Sequence, residues 1–129
     1  MTPLQAAALW IGLNVLLLIF LSARVGQMRN RLKINLGDGG NPEMVKAIRA
    51  HGNYTEYAPL ALVGLVALAE VGANVAIVHV LGGFFFFARI AHMLGLGLGV
   101  WPMGRFIGTL STMLSLLATA ALLIYFAAF

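Results

Sequence analysis

The chain has no cysteine. That excludes a disulfide, a protein thiolate nucleophile and a thiolate metal site, and it leaves the redox compartment open. Charge is also scarce. Only 9% of the 129 residues are charged, four of them acidic, where a soluble domain carries about 25%. What fills the space is apolar: 61% of residues are hydrophobic. Three long runs carry no internal charge, and a fourth opens with a polar stripe. The sequence therefore predicts an all-α integral membrane protein, a bundle of four transmembrane helices. Spans of roughly 20 residues each fall at about 4–23, 44–71, 75–98 and 104–126. They use most of the chain and leave one membrane domain over residues 1–129.

The net charge of +4 is topology charge and gives no nucleic-acid partner. Arg24, Arg29, Arg31, Lys33 and Lys46 lie between the first two apolar runs, the first four of them in what reads as a loop from Arg24 to Pro42. The outer segments hold no Lys or Arg. By the positive-inside rule both termini face out and the basic loop faces the cytoplasm. The first run is preceded by no positive charge and followed by several, the reverse of a signal peptide, so it reads as a retained helix. Asn14, alone among apolar residues, suits an interhelical hydrogen bond. Leu36-Gly-Asp-Gly-Gly-Asn-Pro42 is a turn cluster without the spacing or lysine of a phosphate loop. Asn41 and Pro42 mark the start of the second helix, and Pro59 removes a backbone donor near Thr55. The four-phenylalanine run from Phe84 to Phe87 reads as packing and lipid contact. The hydroxyls Thr109, Ser111, Thr112, Ser115 and Thr119 favour close helix packing.

The most informative stretch is Arg49-Ala-His-Gly-Asn-Tyr-Thr-Glu-Tyr-Ala-Pro-Leu60. Ionisable groups are costly in lipid and persist where they face protein or water. On a helix Arg49, Asn53 and Glu56 share a face, while His51 falls roughly 160° from Asn53. Arg89 and His92 share a face of the third helix, and Arg105 opens the fourth. Topology brings all of these to one depth. They can form an internal ion-pair network, for example Glu56 with Arg89. One glutamate cannot neutralise three arginines, however, and the surplus suits an anionic ligand such as a carboxylate. Nothing in the chain has the composition of a metal site.

These motifs resemble the MAPEG family, the membrane-associated proteins of eicosanoid and glutathione metabolism. The second-helix stretch resembles that family's signature, and Arg89-Ile-Ala-His92 is similar to its third-helix motif. The four-span length, the short second turn and the arginine opening the last helix also match. The loop Gly37-Asp-Gly-Gly-Asn-Pro42 resembles the bacterial branch. The resemblance implies a homotrimer in a bacterial inner membrane that takes reduced glutathione as co-substrate near the cytoplasmic face, between subunits. Arg49, Asn53, Glu56 and Tyr57 would contact glutathione, with Glu56 near its amino group. His92 would lie close by, and Arg24 would reach in from a neighbouring subunit. Arg105 would stabilise the thiolate. Arg89 and His51 would serve a structural charge network. Partners would be membrane lipid and a lipophilic substrate.

Two positions depart from the pattern. Gly52 stands where animal members carry a basic residue, and Leu96 where several place a tyrosine. The spacing around Pro102 to Arg105 differs as well. The activity implied is glutathione transfer or glutathione-dependent peroxide reduction. The alternative is a non-catalytic lipid-binding or scaffold protein of the same fold. A transporter subunit fits least, since no span shows paired Gly/Pro interruptions and no inverted repeat is visible.

Overall fold

A computed structural model describes residues 1–129. It has four long helices and no strand. Helix α1 runs Pro3–Leu32, α2 Pro42–Glu70, α3 Val75–His92 and α4 Pro102–Ala128, and a π-helical turn, Met93–Gly97, extends α3. Three segments are long and apolar enough to cross a membrane: Pro3–Leu32, Val75–Gly97 and Pro102–Ala128. Helix α2 has the length, at 29 residues, but its first half carries the polar stripe.

Local chemistry explains each start. Thr2 and Gln5 form a reciprocal capping box at α1. Asn41 Oδ1 accepts the backbone N–H groups of Glu43 (2.9 Å) and Met44 (3.3 Å), with Pro42 next to it at the first helical position. Asn74 Oδ1 accepts from Ile77 N–H at 3.0 Å and starts α3. Helix α2 continues unbroken through Pro59.

The expected loop beginning at Arg24 is a correction. Helix α1 continues to Leu32, nine residues past the end expected of the span at Ala23. Apolarity ends at the bilayer boundary, but nothing there breaks a helix. Arg29 and Arg31 complement the negative helix C-terminus. Arg29 Nη1 then folds over the turn and donates to the Gly37 carbonyl at 2.9 Å. The fourth helix likewise opens earlier than the expected span, at Pro102.

The core is stacked along the bundle. Ala6, Ala7, Leu65, Leu68, Val78 and Leu81 pack at one end. Leu17, Leu21, Tyr54, Ala58 and Phe85 fill the middle, and Met28, Met44 and Ala47 the other end. Between α1 and α2 the Tyr54 hydroxyl donates toward the carbonyl oxygen (2.8 Å) and Oδ1 (3.1 Å) of Asn14. Asn14 is thus an interhelical partner, and its own amide returns to the Trp10 carbonyl at 2.8 Å. The Trp10 indole lies on Gly82, where a Cβ would collide with the ring, and its N–H donates to His79 Nδ1 at 3.2 Å. In the phenylalanine run Phe85 is buried, while Phe84 and Phe87 are exposed, consistent with packing on one side and lipid on the other.

The buried face of α4 consists of Gly104, Gly108, Thr112, Ser115 and Thr119, spaced by three and four residues. All are small, which lets the α3 backbone approach closely. A Cβ on Gly108 would meet the Ala88 carbonyl oxygen at 2.6 Å, and one on Gly95 would overlap the Arg105 backbone nitrogen. The opposite face offers Phe106, Leu110, Leu117 and Ile124 outward. Replacing Gly108 with alanine therefore forces α3 and α4 apart, and we expect a loss of about 2 kcal/mol in thermal unfolding of the detergent-solubilised protein. Gly12→Ala, which meets nothing within 4 Å, should leave the transition unchanged or raise it.

Candidate functional site

Arg89 lies at the centre of the polar end of the bundle. It is 2% exposed, and no carboxylate pairs with it. The two ion pairs of the chain lie elsewhere, Arg31–Glu43 at 2.7 Å and Arg49–Glu56 at 3.4 Å, all four side chains largely exposed. The Glu56–Arg89 pair, one example of an internal network that the sequence allowed, does not form. Glu56 lies about 60° beyond Asn53 around α2, away from the core, so it meets Arg49 at the surface. Such an exposed pair contributes at most about 1 kcal/mol.

Neutral groups enclose Arg89 instead. Its Nη2 donates to Asn53 Oδ1 on α2 at 2.7 Å, and its Nη1 donates to Thr112 Oγ1 on α4 at 3.1 Å. Nη2 also lies 3.3 Å from His92 Nδ1. The guanidinium sits over the Tyr54 ring, 5.8 Å from its centroid, within cation–π range. Thr112 is fixed in turn because its hydroxyl donates to the Gly108 carbonyl at 2.7 Å. Only Nε of this buried cation lacks a partner.

Beside this knot is a cavity of about 360 Å³, lined by Arg49, Asn53, His92 and Arg105 together with Val45, Lys46, Leu96 and Thr109. Four of the anticipated site residues meet there, from three helices. The contact of the π turn with the first turn of α4, through Gly95 and Gly104, brings Arg105 to the cavity that His92 lines. Thr109 is held by a hydrogen bond from its hydroxyl to the Arg105 carbonyl at 2.8 Å. Glu56 and Tyr57 do not line the cavity. Arg24 lines a neighbouring cavity of about 330 Å³, which shares Lys46 and Leu96 with the first. His51 faces the α1 side, beside Leu18, Ile19 and Ser22. It makes no hydrogen bond or ion pair, so the network around Arg89 does not include it.

Sequence reasoning missed Lys46 and Thr109 as lining residues. The signal was present, since Lys46 extends the Arg49–Asn53 stripe by three residues toward the N-terminus and Thr109 is four beyond Arg105. Lys46 has an obvious topological reading, which masked it.

The model of the MAPEG family matches residues 7–125. The chain belongs to the MAPEG family. It is also similar to the inner membrane protein YecN of Escherichia coli, in strain K12 and in strain O6:H1 CFT073, at 37% identity over 91 residues, which is 70% of each chain. With that relative in the inner membrane and three helices apolar enough to span, this MAPEG member is an integral protein of a bacterial inner membrane, in contact with lipid. Its buried guanidinium depends on neutral acceptors. Asn53→Leu should destabilise the bundle by about 2 kcal/mol, the scale of a lost hydrogen bond to a charged group. Asn53→Asp, which keeps an acceptor, should retain most of the stability in the same thermal unfolding measurement.

Proposed function

We propose that the protein is a membrane-bound glutathione transferase or glutathione-dependent peroxidase acting on lipophilic electrophiles. One observation carries the reading: Arg49, Asn53, His92 and Arg105, drawn from three helices, line a single cavity. Its volume of about 360 Å³ is within the range of small-molecule sites. Lys46, Arg49 and Arg105 make it cationic, which suits a tripeptide with two carboxylates. Guanidinium groups bind carboxylates through paired, charge-assisted hydrogen bonds.

The nucleophile is glutathione's own thiol, consistent with a chain that has no cysteine. Cationic and hydrogen-bonding neighbours favour the thiolate. Arg105 supplies most of that field, and His92 donates a hydrogen bond. In transfer, the sulfur forms a bond to the electrophilic carbon as the leaving group departs with the bonding pair, and the thiol proton passes to solvent. Peroxide reduction consumes two glutathiones, giving the disulfide, an alcohol and water. The electrophile enters from the bilayer between helices.

Glu56 and Tyr57 border the α2 stripe and would complete the ligand's surroundings once a neighbouring subunit of a homotrimer closes the cavity and brings its Arg24. Both termini would face out and the site would face the cytoplasm, because the basic residues gather at the site's end of the bundle. A second reading, a lipid-binding scaffold, draws on Leu96, an apolar wall of the cavity where several members of the family have a tyrosine.

Calorimetry on the detergent-solubilised protein decides between them. Glutathione should bind, Arg49→Ala should weaken binding about tenfold or more, and Arg105→Ala should lower turnover more than affinity. No binding heat, together with a stoichiometric lipid that co-purifies, would overturn the transferase reading in favour of the scaffold.

A further inference from the structure

A guanidinium carries only donors and is always protonated. Whatever atom faces Arg89 must therefore be an acceptor, and this fixes two side chains whose orientation is otherwise ambiguous. Asn53 turns its oxygen to Arg89 Nη2 at 2.7 Å, which leaves its NH2 as the free end. His92 presents Nδ1 to the same nitrogen at 3.3 Å. That Nδ1 must offer a lone pair, so the ring proton sits on Nε2.

Neither Asn53 Nδ2 nor His92 Nε2 has a partner within the chain. Nor are they sealed in the interior, because the buried unpartnered side-chain atoms are Arg24 Nε and Arg89 Nε. Both donors therefore open onto the cavity that Asn53 and His92 line.

We infer that Arg89 is a positioning residue that sets Asn53 and His92 as hydrogen-bond donors toward the cavity. Together with Arg49 and Arg105 they form a wall of donors. Such a wall selects an anionic acceptor atom, a thiolate, over a neutral sulfur. The catalytic consequence rests on the proposed glutathione chemistry, whereas the polarity of the two side chains does not. Arg89 does not line the cavity. It acts through Asn53 and His92.

Two measurements test it. Nitrogen-15 NMR of histidine-labelled protein in detergent, with His92→Gln to assign the signal, reports the tautomer with no ligand present. Native His92 should show a protonated Nε2 and an unprotonated Nδ1 shifted by hydrogen bonding, and Arg89→Met should abolish that shift. A protonated Nδ1 in the native protein overturns the inference. So does a shift that survives in a folded Arg89→Met variant, and if that variant does not fold the native tautomer alone decides.

The second measurement compares binding of glutathione with S-methylglutathione, whose sulfur cannot ionise. Native protein should prefer glutathione about tenfold, and Arg89→Met should erase the preference. An equal loss for both ligands would mark Arg89 as merely structural and overturn the positioning role. If neither ligand binds native protein, the transferase reading falls, and the nitrogen spectrum still judges the donor polarity.

Discussion

The bundle is organised around a positive charge buried without a negative partner. Removing a charge from water is costly unless hydrogen bonds replace the lost hydration, and Arg89 finds them on two other helices. Asn53 comes from α2 and Thr112 from α4, and the Tyr54 ring covers the guanidinium face. Tyr54 then reaches Asn14 on α1. A chain of polar contacts thus joins all four helices at one depth. Lipid offers such groups no alternative partner, so the contacts fix rotation and register where apolar packing alone would let helices slide.

The small residues of α4 serve the same constraint. Thr112 can meet Arg89 only because Gly104 and Gly108 let α4 lie almost on the α3 backbone. That crossing also brings Arg105 and His92 to the same cavity. Stability and the candidate site therefore share residues: Asn53 and His92 hold the buried cation on one side and face the cavity on the other. This arrangement explains why the second-helix stripe carries an amide where a plain ion-pair network would use a carboxylate. The acid of the stripe, Glu56, sits outside with Arg49.

Much of this was legible in the sequence. Apolar runs and charge placement gave four helices, and Asn41 with Pro42 marked the start of α2. The 3.6-residue period separated His51 from the Arg49–Asn53 face. Two things were not legible. Helix α1 outlasts its apolar run because a membrane span and a helix end for different reasons, the first by polarity and the second by capping at Lys33 and Arg29. The partner of Arg89 was missed because spacing reports neighbours along one helix only. Whether Asn53 or Glu56 meets Arg89 depends on how α2 is rotated against α3, which the buried alanine face of α2, Ala47, Ala50, Ala58 and Ala61, settles through packing.

In the proposed function, this cluster of donors and cations holds an anionic sulfur. The most direct measurement is ultraviolet difference absorption as glutathione is titrated, at neutral pH, into the purified protein. A thiolate band should grow with occupancy, saturate, and be lost in Arg105→Ala. Saturable binding of glutathione with no thiolate band would contradict it.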